Sequence, residues 1–481
     1  MNKEQEYKER IHASLDQTLD SGFVPELGEY KKGKVRDVHF SGDKVVMVAS
    51  DRVSCFDHVL SRRIPFKGAV LNAFNAWAMA NTADIIENAA VASPDPNVVV
   101  QRRMKNAGFE FIVRGYVWGS IAADYEAGKR VKSGVALPDN LLRYQRLETP
   151  LFTPTDKAEK GHDVDVTLDD IAKVHGPEMA QLMNGVSIAL YNRGVSIAQS
   201  ARKLLLDTKF EFGFDENGVL YLIDESLTPD SSRYADAQEY AQKWSVIAHE
   251  MDTGAYKNVS DLLKKKPELK ITEESKQFVR DVLIENGYKD GQKIPDLTDE
   301  QVVETAWRYI SSYEALTGKT FDFQRTDLPN AKARILNNLK KAGMIKGMCV
   351  VPIVASNRGT DLEYWSKLEE ALKENGVPYV APFFGSAHKE TEKVLGYVEK
   401  MDTSLEPIVY ITMAGRSNGL GPVVAGNTKN PVITCPVFKD GVDYQTNIHS
   451  SLQMPSKLPM ATIIDPGNAA LYAKRIMDTQ R

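Results

Sequence analysis

Two groups of residues in this chain have the types and spacing to do chemistry. The first is Gly385-Ser386-Ala387-His388-Lys389, directly after the apolar run 379–384; the chain holds only eight histidines. A second polar cluster, Ala414-Gly415-Arg416-Ser417-Asn418-Gly419, follows the apolar run 407–413 in the same way. Neighbouring strand ends of a parallel sheet bring their loops together, so the two clusters are expected in one pocket. His388 falls where such a fold builds a site, between a strand's carboxyl end and the start of a helix. Taken alone, His388 also reads as a helix cap.

The other group sits on a hairpin. Segments 209–214 and 219–223 flank Asp215-Glu216-Asn217-Gly218, a turn sequence. Closing the turn with Phe214 opposite Val219 puts Phe210, Phe212, Phe214, Val219, Tyr221 and Ile223 on one apolar face. The same register gathers Lys209, Glu211 and Asp224 on the other face, and a one-residue slip would separate them. Two carboxylates and a lysine on one sheet face suit Mg²⁺ and a phosphate chain. The same residues also read as a solvated cross-strand ion pair between Lys209 and Asp224. Glu225-Ser-Leu-Thr-Pro-Asp230-Ser231-Ser232-Arg233 follows at once, dense in groups that bind a polar substrate.

Elements must position these groups. From 348 onward, short apolar strands (348–354, 379–384, 407–413, 431–434) alternate with amphipathic helices, which predicts a parallel, doubly wound α/β sheet. Thr360 with Glu363 predicts a capping box for the first of those helices. The first half, with strands at 44–49, 98–100 and 109–113 and then mostly helix from 236 to 317, reads as α+β. The basic stretch 323–346 is the expected linker between domains 1–322 and 347–481.

Bulk properties bound the function. A chain of 481 residues exceeds one ordinary core. A net charge of −5 gives no electrostatic reason to bind nucleic acid or an anionic membrane. Three scattered cysteines offer neither a disulfide framework nor metal-ligand spacing. With no signal-peptide core and no apolar span, the expectation is a cytoplasmic protein.

Several segments together resemble the SAICAR synthetase family: Gly33-Lys34-Val35-Arg36-Asp37, Ser54-Cys55-Phe56-Asp57, Arg114 through Ser120, Asp207 through Gly213, and Asp224 through Arg233. The resemblance runs from about residue 20 to 322. It implies a SAICAR synthetase-like, ATP-grasp-related fold, and ATP-dependent condensation of CAIR (carboxyaminoimidazole ribotide) with L-aspartate. It further implies Lys34, Arg36 and Lys209 on ATP, and Glu211 and Asp224 on Mg²⁺. Asp57, Arg114, Ser120, Asp230, Ser231 and Arg233 would bind CAIR.

The segment from about 348 to 477 resembles the PurE family of AIR carboxylases. Besides the two loops, Ser450-Ser451-Leu452-Gln453-Met454-Pro455 and Asn468-Ala469-Ala470-Leu471 carry the likeness. It implies a three-layer flavodoxin-like fold and a homo-octamer built through this domain. Lys389 and Arg416-Ser417-Asn418 resemble class II, which carboxylates aminoimidazole ribotide (AIR) with CO₂, rather than the mutases that use N5-carboxy-AIR. His388 and Lys389 would be catalytic; Ser356, Asp361, Ser386, Ala387, Gly415, Arg416, Ser417 and Asn418 would bind AIR. The family's first loop usually reads Gly-Ser-x-Ser-Asp, whereas Ala355-Ser356-Asn357-Arg358-Gly359-Thr360-Asp361 stands here. The expectation is a bifunctional enzyme of purine biosynthesis. The alternatives are a lone synthetase carrying an inactive assembly domain, a carboxyl-terminal mutase, and, in another class, a nucleotide-binding regulator without turnover.

Overall fold

Strands that are apolar on both faces need helices on both faces, and the carboxyl-terminal sheet meets that need. The computed structural model describes residues 2–56, 58–157, 164–274, 276–289, 292–416 and 418–479, with backbone alone at 276, 277 and 446. The chain forms two compact units. One comprises Met1–Asp20, Lys34–Arg36 and Gly42–Pro329; the other comprises Ser21–Gly33, Asp37–Ser41 and Asn330–Arg481. Within the stretch expected as linker, Phe323–Thr326 and Ala331–Lys341 are helices, and Ile335 and Leu339 are fully buried.

In the first unit the main sheet is organised around the twelve-residue strand Lys203–Phe214. It pairs antiparallel with Phe109–Tyr116, Leu220–Ile223 and Ser232–Asp236. Phe210 and Phe212 are fully buried with Phe111 and Leu222, so truncating Phe212 to alanine should cost about 3–5 kcal/mol. The 24-residue helix Pro177–Ser200 crosses this sheet closely. Tyr191 donates to the Leu205 carbonyl at 2.8 Å. A Cβ on Gly115 would come within 1.8 Å of the Tyr191 hydroxyl, so only glycine fits. Strands Lys44–Ala49, Val98–Arg102 and Ala90–Asp95 pair antiparallel elsewhere in the unit. The α+β expectation stands.

The hairpin register differs from the sequence reading by one residue. Phe214 faces Leu220, not Val219, and Glu211 faces Ile223. The Asp215 carboxylate accepts the N–H groups of Asn217 (2.9 Å) and Val219 (2.8 Å), which draws Val219 into the loop. Val219 is accordingly 49% exposed, while Leu220 is 7% exposed. Leu220 and Leu222, rather than Val219, Tyr221 and Ile223, share the core face with the phenylalanines.

In the second unit five strands lie in the order Phe383–Phe384, Cys349–Val354, Ile408–Ala414, Val432–Pro436, Ala461–Thr462, all paired parallel. Helices Gly359–Glu374 and Pro466–Thr479 pack on one face through Trp365, Leu368, Ala469 and Ala473. Helices Thr391–Asp402 and Leu420–Gly426 cover the other through Val394, Val398, Leu420 and Val424. This is a three-layer, flavodoxin-like α/β fold with strand order 2-1-3-4-5. Phe23, from the segment Ser21–Gly33, is 3% exposed and belongs to the second of these cores.

Two local expectations fail here. The run 379–384 forms a strand only over Phe383–Phe384, because Pro378 and Pro382 supply no N–H to a ladder. The helix expected to start at Thr360 begins at Gly359 behind Arg358, with no side-chain cap, so the capping box is absent.

Candidate active sites

In the first unit, Asp207, Lys209 and Glu211 alternate along Lys203–Phe214 and so line one face of the strand. Lys209 Nζ lies 2.5 Å from Glu110 Oε1 and 3.5 Å from Glu211 Oε1. Glu211 is 3% exposed; its Oε2 receives Lys157 Nζ at 2.5 Å and Asn106 Nδ2 at 3.3 Å. Burial alone would lower the Lys209 pKa. The carboxylates of Glu211 and Glu110 outweigh it, and the ammonium is held well above its usual range.

Asp224 follows the last residue of Leu220–Ile223 in a left-handed backbone, φ 60°. Gln101 fixes this bend from both sides, donating to the Asp224 carbonyl (2.9 Å) and accepting its N–H (3.1 Å). Asn75 also donates to that carbonyl at 3.0 Å. The carboxylate then lies 2.7 Å from Arg36 Nη1, while Arg36 Nη2 pairs with Glu225. Burial pushes the Asp224 carboxyl up, but Arg36, Lys209 and Lys157 hold it below its ordinary value. A buried and a half-buried carboxylate interleaved with fixed cations make a bed for a polyanion with a hard cation. Lys34 is exposed beside it, and its carbonyl accepts Arg52 Nε at 3.3 Å.

A second cluster lies further along the same strand. Asp207 Oδ2 is shared by Arg114 Nη1 (3.1 Å) and Arg233 Nη1 (2.5 Å). Arg114 also reaches Thr153 Oγ1 at 3.0 Å and Ser120 Oγ at 3.4 Å. Arg233 Nε lies 3.5 Å from Glu273. Gly119 has φ 61°, and a Cβ there would meet the Arg233 guanidinium at 2.8 Å, so the loop requires glycine. Burial lowers the Arg114 pKa, partly offset by Asp207; the Asp207 charge raises that of Arg233. One buried and one partly exposed guanidinium with a hydroxyl are the chemistry of phosphate or carboxylate recognition.

In the second unit, loops after three adjacent strands meet at the carboxyl edge of the sheet. A Cβ on Gly419 would stand 2.9 Å from His388 Cε1 and 3.2 Å from Nε2, so the imidazole lies against that glycine. Likewise a Cβ on Gly415 would lie 3.8 Å from Asp361 Oδ1. Burial raises the Asp361 carboxyl, partly offset by a hydrogen bond from the Gly415 backbone. His388, Lys389 and Arg416 are exposed, and Ser386 is half-buried. Asn418 is 3% exposed and pins the loop, donating to Thr434 Oγ1 (2.7 Å) and Ser451 Oγ (3.0 Å). Its own N–H donates to Ser450 Oγ at 3.0 Å.

Residues 29–266 match the family model described as SAICAR synthetase, and residues 349–481 match that described as AIR carboxylase. The phosphoribosylaminoimidazole-succinocarboxamide synthase of Cytophaga hutchinsonii is 41% identical over 324 residues, covering 66% of this chain and 96% of that protein. The chain belongs to the SAICAR synthetase family. The corresponding enzyme of Bacteroides thetaiotaomicron is 40% identical over 313 residues, 64% of this chain and 92% of its own. The structure of SAICAR synthase from Saccharomyces cerevisiae, complexed with SAICAR, is 25% identical with a TM-score of 0.52, covering 63% of this chain and 99% of that one. Beyond the region shared with these relatives, residues 349–481 are the part of the chain that matches the AIR carboxylase model.

Within the synthetase, Arg36, Lys209, Glu211 and Asp224 gather as a group, and Arg114, Ser120 and Arg233 as another. Asp230 is held inside by Lys67 (2.8 Å), and Ser231 is tied into a turn with Thr228. Asp57 and Ser417 lie outside the described residues. Ala387 is 8% exposed and packs in the apolar core, and Ser356 Oγ accepts the Arg358 N–H at 3.2 Å. Glu110, Lys157 and Lys67 were not legible as site residues. Glu110 and Lys157 act across strand pairings that local patterns do not reveal, and a lone lysine opening an apolar helix carries no motif.

Proposed function

We propose that this chain carboxylates AIR with CO₂ to CAIR and then joins CAIR to L-aspartate with ATP, giving SAICAR, ADP and phosphate. The observation carrying the synthetase half is the strand face Asp207–Lys209–Glu211, which runs from the guanidinium pair to the Arg36–Asp224 bed. Arg114 and Arg233 hold the ribotide phosphate, with Ser120 beside them. Lys34, Arg36 and Lys209 take the ATP phosphates. The γ-phosphoryl group moves to the CAIR carboxylate, and the aspartate amine then displaces phosphate from the acyl phosphate. Such transfer relies on positioning and charge more than on a base.

Glu211 and Asp224 are hard oxygen donors that fit Mg²⁺. Among the described residues no cluster of three or more His, Cys, Asp or Glu could cage an ion. Two carboxylates completed by substrate phosphates is the mode Mg²⁺ prefers. Held by Glu211 and Asp224, the ion would supply charge neutralisation for the phosphate groups.

In the carboxylase domain AIR is the carbon nucleophile. His388 removes the ring proton after attack on CO₂, and Lys389 and Arg416 hold the new carboxylate. Asp361, kept against Gly415 despite the altered first loop, favours an active domain over an inert assembly module. Boundaries at 1–322 and 347–481, a homo-octamer through the second domain and a cytoplasmic setting complete the proposal. No helix among the described residues is long and apolar enough to cross a membrane.

Incubating the full-length protein with CAIR, aspartate and Mg-ATP tests the synthetase half. ADP and SAICAR are expected in equal amounts, with Glu211→Ala down at least ~100-fold. An unchanged rate in that variant would refute the assignment.

A further inference from the structure

We infer that Lys67 is a positioning residue of the synthetase site, acting through Asp230; the inference rests on the synthetase reading above. Lys67 opens the helix Lys67–Ala80, and its side chain is 0% exposed, so it meets no substrate from solvent. A buried ammonium is strongly unfavourable unless paired. Its Nζ lies 2.8 Å from Asp230 Oδ2 and 5.2 Å from the centroid of the Tyr309 ring. The Tyr309 hydroxyl in turn donates to Asp230 Oδ1 at 2.6 Å. Tyr309 comes from the helix Asp299–Thr317, so two helices converge on one carboxylate in a third segment.

That carboxylate stands within a tight turn. The Thr228 carbonyl accepts the N–H groups of Ser231 (3.1 Å) and Ser232 (2.9 Å), and Thr228 N–H donates to Ser231 Oγ at 3.1 Å. Thr228 Oγ1 donates to Glu225 at 2.5 Å. One flank of the turn therefore carries Glu225, the partner of Arg36, and the other carries Arg233, the partner of Asp207. Fixing Asp230 from beneath sets both flanks at once, one toward the phosphate bed and one toward the guanidinium pair. Lys67 belongs to no motif assigned to substrate. An ion pair that served only stability could be neutralised without changing how substrates bind; this one could not.

The test uses the full-length protein with Lys67→Met, which removes the charge and keeps the length, and Tyr309→Phe, which removes one hydrogen bond and keeps the ring. The readouts are Tm and, well below it, kcat and the KM values for CAIR and ATP in the condensation with aspartate. Carboxylation of AIR by the same chains is the control. Lys67→Met is expected to lower kcat/KM for CAIR at least ~100-fold, and Tyr309→Phe about tenfold, with raised KM values and carboxylation unchanged. Should Lys67→Met fail to fold, Tyr309→Phe decides the matter alone. Wild-type kinetic constants in a folded variant, with only Tm lowered, would overturn the positioning role while leaving the synthetase reading intact. An unaltered chain that cannot condense CAIR with aspartate would overturn both.

Discussion

Asp224 meets Arg36 at 2.7 Å because it leaves the strand alternation. With Glu211 opposite Ile223, strict alternation would turn the next residue toward the phenylalanine core. The left-handed φ of 60° at Asp224, held by Gln101 and Asn75, brings its carboxylate to the polar side instead. Arg36→Met should therefore lower ATP-dependent condensation by ~100-fold or more, since the half-buried Asp224 loses its closest cation. AIR carboxylation by the same protein should not change. Steady-state rates of both reactions check this.

The hairpin register has its own test. Val219→Asn at the exposed loop position should move Tm by no more than about 1 °C. Leu220→Asn places an amide in the apolar core and should cost about 3 kcal/mol or more. Equal thermal shifts in the two variants would restore the other register.

Gly419→Ala should damage carboxylation alone. Its backbone is right-handed (φ −76°), so alanine causes no backbone strain, but the new methyl would press on the His388 ring at 2.9 Å. A displaced general acid–base typically costs ~100-fold in rate. The synthetase rate with added CAIR should equal that of the unaltered chain.

Glu406 predicts a pH effect on the second unit. It is 2% exposed; its Oε1 accepts the Glu26 N–H (2.8 Å) and the Cys349 thiol (3.2 Å). Burial, with the neighbouring Glu26 charge, pushes its carboxyl up to about 8. The folded state thus holds a proton that an unfolded glutamate, titrating near ~4.3, releases earlier. Stability from this group is full below the unfolded value and falls as pH rises toward 8. Glu406→Gln should flatten the decline of Tm between those values. Parallel Tm profiles would contradict it.

Much of this was legible in the sequence where the signals are local. The apolar runs 348–354, 379–384 and 407–413 alternate with amphipathic helices, which predicts the parallel sheet, and the polar clusters that follow the last two predict converging loops. The motif around Lys209, Glu211 and Asp224 predicted the right cluster through the wrong register. Asp215 chose the loop length, and one left-handed residue restored the group; neither effect appears in period-two alternation. Lys157, Glu110 and Lys67 reach the site through contacts distant in sequence. Asn418, which the resemblance places on AIR, also braces its own loop through Thr434 and Ser451, and burial and hydrogen-bond partners of that kind are tertiary facts.

The most direct test of two coupled activities is one reaction with AIR, bicarbonate, aspartate and Mg-ATP, followed by product analysis. The unaltered protein should yield SAICAR and ADP in equal amounts. Glu211→Ala should accumulate CAIR, and His388→Ala should make SAICAR only when CAIR is added. No SAICAR from the unaltered protein with CAIR supplied, or undiminished carboxylation in His388→Ala, would contradict the account.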